Sequence, residues 1–237
     1  LQEKKNGGGK QPEWKDIYVD IGAKNKEEAL EMVQIGDPIT YSDDYEFLSD
    51  DILTGRALDN RIGGFIIARV MQNLQERREE LKVNVMALNS VQEEVGGYGA
   101  RMMSYRLEPD MALVTDVTHA TDTPGIDNKQ HGLINLRKGP VLQHGGANHP
   151  KIVDFLENIS EQREIGIQHE ATSVRTGTDT DSIFYQKTGI ASALISLPLR
   201  YMHSPVEMAS MKDIDALVKL MTESVLALEP DHTFNVF

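Results

Sequence analysis

The chain has 237 residues, 40% of them hydrophobic and 26% charged, enough to bury one sizeable core and a smaller one beside it. Its formal net charge of −13 argues against nucleic acid and anionic membrane as partners. It has no cysteine, which excludes disulfides and thiolate metal sites and suits a reducing, cytoplasmic setting; nor does any stretch approach the roughly 20 apolar residues of a membrane helix.

The opening Leu1-Gln2-Glu3-Lys4-Lys5-Asn6-Gly7-Gly8-Gly9-Lys10 is polar, lacks the apolar core of a signal peptide and reads as the interior of a loop with further sequence expected upstream. Ile17 to Gly22 alternates and is β-branched, so a short strand is expected. A helix over Lys26–Val33 follows the cap Asn25 and closes at Gly36-Asp37. Pro38 to Tyr41 reads as a second strand. Residues 1–54 are therefore expected to be the C-terminal part of a β-rich accessory domain. From residue 55 the pattern changes to an α/β domain. Ile62, Phe65, Ile66, Val70, Met71 and Leu74 give one apolar face to a long helix over Asp59–Leu81. Further helices are expected over Tyr98–Leu107, His149–Ile159 (opened by Pro150), Thr180–Thr188 and Lys212–Leu228. Strands are expected at Val83–Leu88, Met111–Thr115, Gly166–Glu170 and Ala191–Leu197. Strands alternating with helices predict an α/β layered domain with a largely parallel sheet.

The chemistry-bearing residues gather at the ends of these strands. Ligands of open α/β sheets collect beyond the carboxyl ends of the strands. Glu93 and Glu94, Asp116 and His203 each follow an apolar run, and Asp59 stands at the mouth of the long helix. Adjacent side chains within a strand face opposite ways, but a break before Gly96, Gly97 and Gly99 lets Glu93 and Glu94 diverge around one site. One of the pair would bind metal. The other would take a proton from a water whose pKa a metal ion lowers to about 7. Asp59 is placed to bridge two ions about 3.5–4 Å apart. Oxygen ligands with one imidazole suit Zn²⁺, Co²⁺ or Mn²⁺. Each residue also has a plainer reading: Asp59 as a helix cap, Glu93-Glu94 as solvated surface and His203 as an ordinary histidine. Asp116, next to a buried run, is harder to dismiss, because a buried charge needs a partner.

Five segments together resemble the M42 family of metallo-aminopeptidases, also called tetrahedral, deblocking or glutamyl aminopeptidases and sometimes endoglucanases. They are Ala57-Leu58-Asp59-Asn60-Arg61, Gln92-Glu93-Glu94-Val95-Gly96, Asp116-Val117-Thr118-His119-Ala120, Gly177-Thr178-Asp179 and Pro198-Leu199-Arg200-Tyr201-Met202-His203-Ser204-Pro205. The likeness runs in order from about Ile17 to the last helix. It implies Asp59 as bridging ligand, Glu94 and His203 on one metal, Asp116 on the other, and Glu93 as general base. It also implies a three-layer α/β/α metallopeptidase domain, here residues 55–237, with a PDZ-like insertion. Two divalent ions per subunit, zinc or cobalt first, peptide substrates and assembly into dodecamers complete the expectation. The family places a further histidine ligand in a His-x-Asp motif upstream of the insertion. No such motif precedes Asp59, and the first histidine here is His119, to which the resemblance gives no ligand role. Thr178 and Asp179 resemble the substrate-side loop, although a helix cap is an equal reading. Arg200 suits a substrate carboxylate or carbonyl, or equally pins the loop around His203. His144, His149 and His232 read as surface or loop residues.

The sequence is also compatible with two other functions. A non-catalytic half-site homologue acting in assembly would account for the missing histidine. A glycosidase would use Glu93 and Glu94 as its acid pair, though adjacent carboxylates seldom straddle a sugar bond at the required roughly 5–10 Å.

Overall fold

The computed structural model describes residues 13–42 and 44–234; the loop expected over residues 1–10 lies outside them. The chain divides into two compact units, residues 1–41 and 42–237. In the first, a 3₁₀ turn at Trp14–Asp16 precedes helix α1, Lys26–Met32. Asn25 caps α1 as expected, its Oδ1 accepting from Glu28 N at 2.9 Å. The strands expected at 17–22 and 38–41 do not form. Strand residues need a neighbour for their backbone hydrogen bonds, and among the described residues these two segments find none.

The larger unit opens with a hairpin, β1 (Tyr45–Ser49) and β2 (Ile52–Gly55), absent from the sequence reading. β2 pairs antiparallel with β7 (Glu207–Ser210), giving a three-stranded sheet in the order β1-β2-β7. Residues 45–55 thereby pair within the larger unit. Helix α2 follows at Leu58–Glu76, with a 3₁₀ turn at Arg78–Glu80. Its buried Ile62, Ile66, Val70 and Leu74 recur every four residues, the stripe the sequence showed. α3 (Tyr98–Leu107) and β3 (Met111–His119) come next, then the short α4 (Asn128–His131) and β4 (Val141–His144). α5 (Pro150–Gln162), β5 (Gln168–Ala171), α6 (Thr180–Ile183), β6 (Ala191–Leu199), β7 and α7 (Met211–Leu226) complete the unit.

The main sheet has the order β3-β6-β4-β5. β3 runs parallel to β6 and β4 parallel to β5, but β4 and β6 are antiparallel, so the sheet is mixed rather than largely parallel. Alternate residues sort the two faces. Leu113 and Val117 of β3 join Ala193, Ile195 and Leu197 of β6 in a core with α2, α5 and α7. Ala112 and Val114 point the other way, into a smaller cluster with Ala100 of α3 and Ile183 of α6. The unit is thus layered α/β/α, as expected. Every residue of β6 is buried, as its continuous apolar run foretold.

Three expected elements are altered. Val83 to Leu88 keeps a partly alternating exposure but has no ladder partner among the described residues and is not a strand. α6 stops at Ile183, because Lys187 and Gly189 take left-handed conformations that fold the chain back. Asp116 lies inside β3, which runs on to His119, rather than after it.

Candidate metal centre and family

The mouth of α2 is not a regular helix start. Ala57 is left-handed, Asp59 and Asn60 have non-helical torsions, and the Asp59–Asn60 peptide bond is cis. Asn60, not Asp59, caps the helix: its Oδ1 accepts from Gly63 N at 2.7 Å. Its Nδ2 donates to Asp116 Oδ1 at 3.0 Å and to the Thr115 carbonyl at 3.2 Å. A Cβ on Gly63 would meet the Asn60 amide at 2.5 Å, so this close approach requires glycine. The cap reading of Asp59 therefore gives way, and its side chain is left for other work.

Asp59 Oδ2 lies 3.0 Å from His203 Nε2, and Glu94 Oε2 lies 3.9 Å from the same nitrogen. One ligand atom from each of Asp59, Glu94 and His203 fits within 4.8 Å of the others. Three segments distant in sequence thus meet. The Glu93-Glu94 pair sits in a turn closed by Gly96 N and Gly97 N donating to the Glu93 carbonyl, at 2.9 and 3.0 Å. Gly99 N reaches back to the Val91 carbonyl at 3.0 Å, where any Cβ would collide with the Val91 backbone. This turn supplies the break that separates the two acids.

Glu93 and Asp116 stand outside the three-residue group but within its field. Burial, then the charges of Asp179, Glu94 and Asp59, push Glu93 up to about 7. Burial also pushes Asp116 up to about 7, against the Val117 N–H that it accepts at 2.9 Å, with Glu93, Asp59 and Asp179 adding to the rise. Burial and Glu94 push Asp59 up to about 6, with His203 opposing. Like charges crowded in low dielectric resist ionisation. A cation placed among them would reverse all three shifts. The donors are hard oxygens and one imidazole, which fit zinc, cobalt or manganese.

Asp179 makes no side-chain cap hydrogen bond at α6. Its Oδ2 accepts from the Ser90 hydroxyl, and its buried Oδ1 has no partner among the described residues. Thr178 Oγ1 accepts from Thr180 N at 3.2 Å. Capping therefore falls to Thr178, while Asp179 contributes charge beside Glu93. Arg200 is engaged by Asp122, Nε to Oδ1 at 2.8 Å, and its backbone pairs with Met208. That contact ties the Arg200 side chain to Asp122.

One residue was missed. Glu207, 2% exposed at the start of β7, accepts from Asp59 N at 3.0 Å through Oε2 and from His203 N at 2.7 Å through Oε1. It fixes the backbone of two of the three clustered residues. The available signal was an acid four positions beyond His203, opening a short segment that ends buried.

Residues 1–220 match the family model for M42 glutamyl aminopeptidases. The chain belongs to the M42 family. It is 34% identical to the lysyl aminopeptidase of Pyrococcus furiosus over 97% of its own length and 64% of that protein's. Among solved structures it is similar to a TET aminopeptidase of a marine-sediment Thaumarchaeota archaeon, with a TM-score of 0.87 and 32% identity, covering 94% of this chain and 63% of that one. It is similar too to the Pyrococcus horikoshii TET1 peptidase, described as assembling into a tetrahedron or a large octahedral shell, with a TM-score of 0.76 and 29% identity over 88% of this chain and 60% of that one. The chain thus spans a little under two thirds of the length of these M42 relatives. Among the described residues no helix is long and apolar enough to cross a membrane.

Proposed function

We propose that this chain carries the hydrolytic centre of a two-metal aminopeptidase. The observation behind the proposal is the meeting of Asp59, Glu94 and His203 within 4.8 Å, flanked by two further acids, Glu93 and Asp116, that burial holds near 7. Asp59 is read as the shared ligand, Glu94 and His203 as ligands of one ion, and Asp116 as a ligand of the other. Two divalent ions, when bound, supply Lewis acidity toward the scissile carbonyl and toward the attacking water. Glu93 takes the proton from that water and hands it to the leaving amine. Its place beside the proposed ligand Glu94 suits both halves of this transfer, and the charge of Asp179 adds to its proton affinity. Asn60 and Glu207 hold the ligands in place, and Arg200 with Asp122 holds the loop that leads to His203.

The substrate class is the N-terminal residue of peptides, in line with the names of the relatives. Residues 1–41 are read as part of a PDZ-like accessory domain, narrowed from 1–54 because β1 and β2 pair with β7. Homo-oligomeric assembly is supported by the relative described as forming a tetrahedron or a large octahedral shell, and a dodecamer is proposed first from the family resemblance. A cytoplasmic location and zinc or cobalt as the resident metal complete the proposal.

Glu93→Gln tests the central role. The expected result is retained metal with hydrolysis of aminoacyl-p-nitroanilides reduced by about 10²–10⁴-fold, the usual worth of a positioned acid–base group. Near-full turnover in this variant would overturn the assignment. If the wild-type chain binds metal yet shows no hydrolysis, the assembly reading replaces it; activity on a glucan that resists chelation would bring back the glycosidase.

A further inference from the structure

A second cluster of metal-ligating groups lies away from the acidic centre. His144 closes β4, and His169 sits on the parallel neighbour β5, paired with Leu142. Side chains alternate along a strand and paired residues share a face, so both imidazoles lie on the side of Leu142. That side is covered by α5, whose Ile152 and Leu156 share a core with Leu142. Glu157 of α5 reaches the two rings. His144 Nε2 lies 3.0 Å from His169 Nδ1, and His169 Nδ1 lies 3.6 Å from Glu157 Oε1. One ligand atom of each fits within 4.8 Å of the others.

We propose that His144, His169 and Glu157 form a further metal site, taking zinc or a first-row cation of similar taste, that ties β4 and β5 to α5. The donor set is the first argument. Two imidazole nitrogens and one carboxylate oxygen are a common three-ligand set for zinc, with a fourth position left to water. Spacing is the second. Zinc–ligand bonds near 2.0–2.1 Å at tetrahedral angles place neighbouring ligand atoms about 3.3 Å apart, and the separations of 3.0 and 3.6 Å bracket that value. Small rotations of the rings would complete the geometry.

The scaffold is the third argument, because sites on regular elements hold their geometry best. The carbonyl of His144 accepts from Thr172 N at 2.7 Å and from Thr172 Oγ1 at 3.1 Å, which locks the ends of β4 and β5 together. The start of α5 is fixed to β6 by His149 N donating to the Ser192 carbonyl at 2.7 Å and by Asn148 Oδ1 accepting from Leu194 N at 2.7 Å. Access is the fourth. A shallow groove of about 360 Å³ runs past His169 and Glu157 and is edged by Glu161 and Glu164, acids that raise the local concentration of cations.

This site is separate from the acidic centre. Asp116 pairs with Ser196 in β6, and Ser196 with Val141 in β4. β4 runs antiparallel to β6, so His144 lies toward the amino end of β6, whereas His203 follows its carboxyl end. Asp116, between Thr115 and Val117 in alternation, lies on the face opposite α5.

The test is metal content in a background where the acidic centre cannot contribute. Asp59→Asn combined with His203→Gln removes two ligands there, so failure of the peptidase reading and failure of this one are separable. The chain is stripped with chelator, dialysed against micromolar zinc and analysed for metal. The background variant should hold one zinc per chain. Adding His169→Ala should remove it, as should adding Glu157→Gln. Cobalt in place of zinc should give the visible absorption of a tetrahedral site, lost in the same variants. Both residues are on the surface, so far-UV circular dichroism should be unchanged; if His169→Ala does not fold, Glu157→Gln carries the test. No zinc in the background variant, or zinc insensitive to both substitutions, would show a hydrogen-bonded imidazole pair only and overturn the proposal.

Discussion

Glu207→Gln should weaken metal binding without touching a metal ligand. The carboxylate of Glu207 accepts two backbone N–H groups, Asp59 at 3.0 Å and His203 at 2.7 Å, from a position only 2% exposed. Glutamine keeps the shape but offers one acceptor, and its amide hydrogens face a donor. One of the two bonds is therefore lost and a buried N–H left unpaired. A hydrogen bond to a charged group contributes roughly 1.5–3 kcal/mol, and an orphaned buried donor costs about 1–3 kcal/mol. If that strain is relieved by displacement of Asp59 or His203, it appears as weaker metal binding of about 10–100-fold, the loss usual for outer-shell partners. The assay is zinc affinity by competition with a chromogenic chelator, beside thermal unfolding of the metal-free chain. The expected pattern is both a lower melting temperature and the weaker affinity. A folded variant with zinc affinity within about twofold of wild type would refute the idea that Glu207 positions the ligands.

Two other perturbations follow from the same geometry. Gly63→Ala would drive a Cβ into the Asn60 amide at 2.5 Å, so Asn60 must leave either the helix cap or Asp116; a loss of about 1–3 kcal/mol in chemical unfolding is expected, and an unchanged midpoint would deny Asn60 that role. The stability of the chelated chain should fall as pH rises. Burial pushes the carboxyl of Asp116 up to about 7 in the metal-free fold, from an ordinary 3.8. A raised folded pKa stabilises fully below the unfolded value and loses that contribution as pH climbs through about 7, at most roughly 4 kcal/mol. Asp116→Asn, which keeps an acceptor for Asn60 and Val117, should remove this part of the slope, and saturating zinc should flatten it; equal slopes in wild type and variant would count against the burial of that charge.

Much of the fold was legible where one residue period dominates. The four-residue stripe of α2 and the unbroken apolar run of β6 each have one stable placement. α3 has the span its pattern predicts, ending at the left-handed Glu108. The failures share a cause. Ile17–Gly22, Pro38–Tyr41 and Val83–Leu88 have strand composition, but a strand exists only beside another strand. Composition is local and the partner is not. The hairpin of β1 and β2 was hidden for the converse reason: Tyr45, Phe47 and Leu48 are exposed, so no buried periodicity marks it.

The candidate centre was legible for a different reason, and only in part. Asp59, Glu94 and His203 are separated by long stretches of chain, and no spacing rule joins them; the family motifs did. What those motifs leave out is the work of keeping acids together. Asp59, Glu93 and Asp116 are held near one another although Asp59 raises the pKa of the other two and Glu93 raises that of Asp116. That arrangement is unfavourable for the fold by itself, and the neighbours show how it is tolerated. Asn60 and the Val117 N–H solvate one oxygen of Asp116 and His203 faces Asp59, while Glu207, whose charge raises Asp59 further, is itself solvated by two backbone N–H groups. None of these contacts discharges the cluster, since Asp116 and Glu93 still stand near 7. In the two-metal reading proposed above, divalent cations would supply the remaining compensation, so the electrostatic penalty and the capacity for metal would have the same origin.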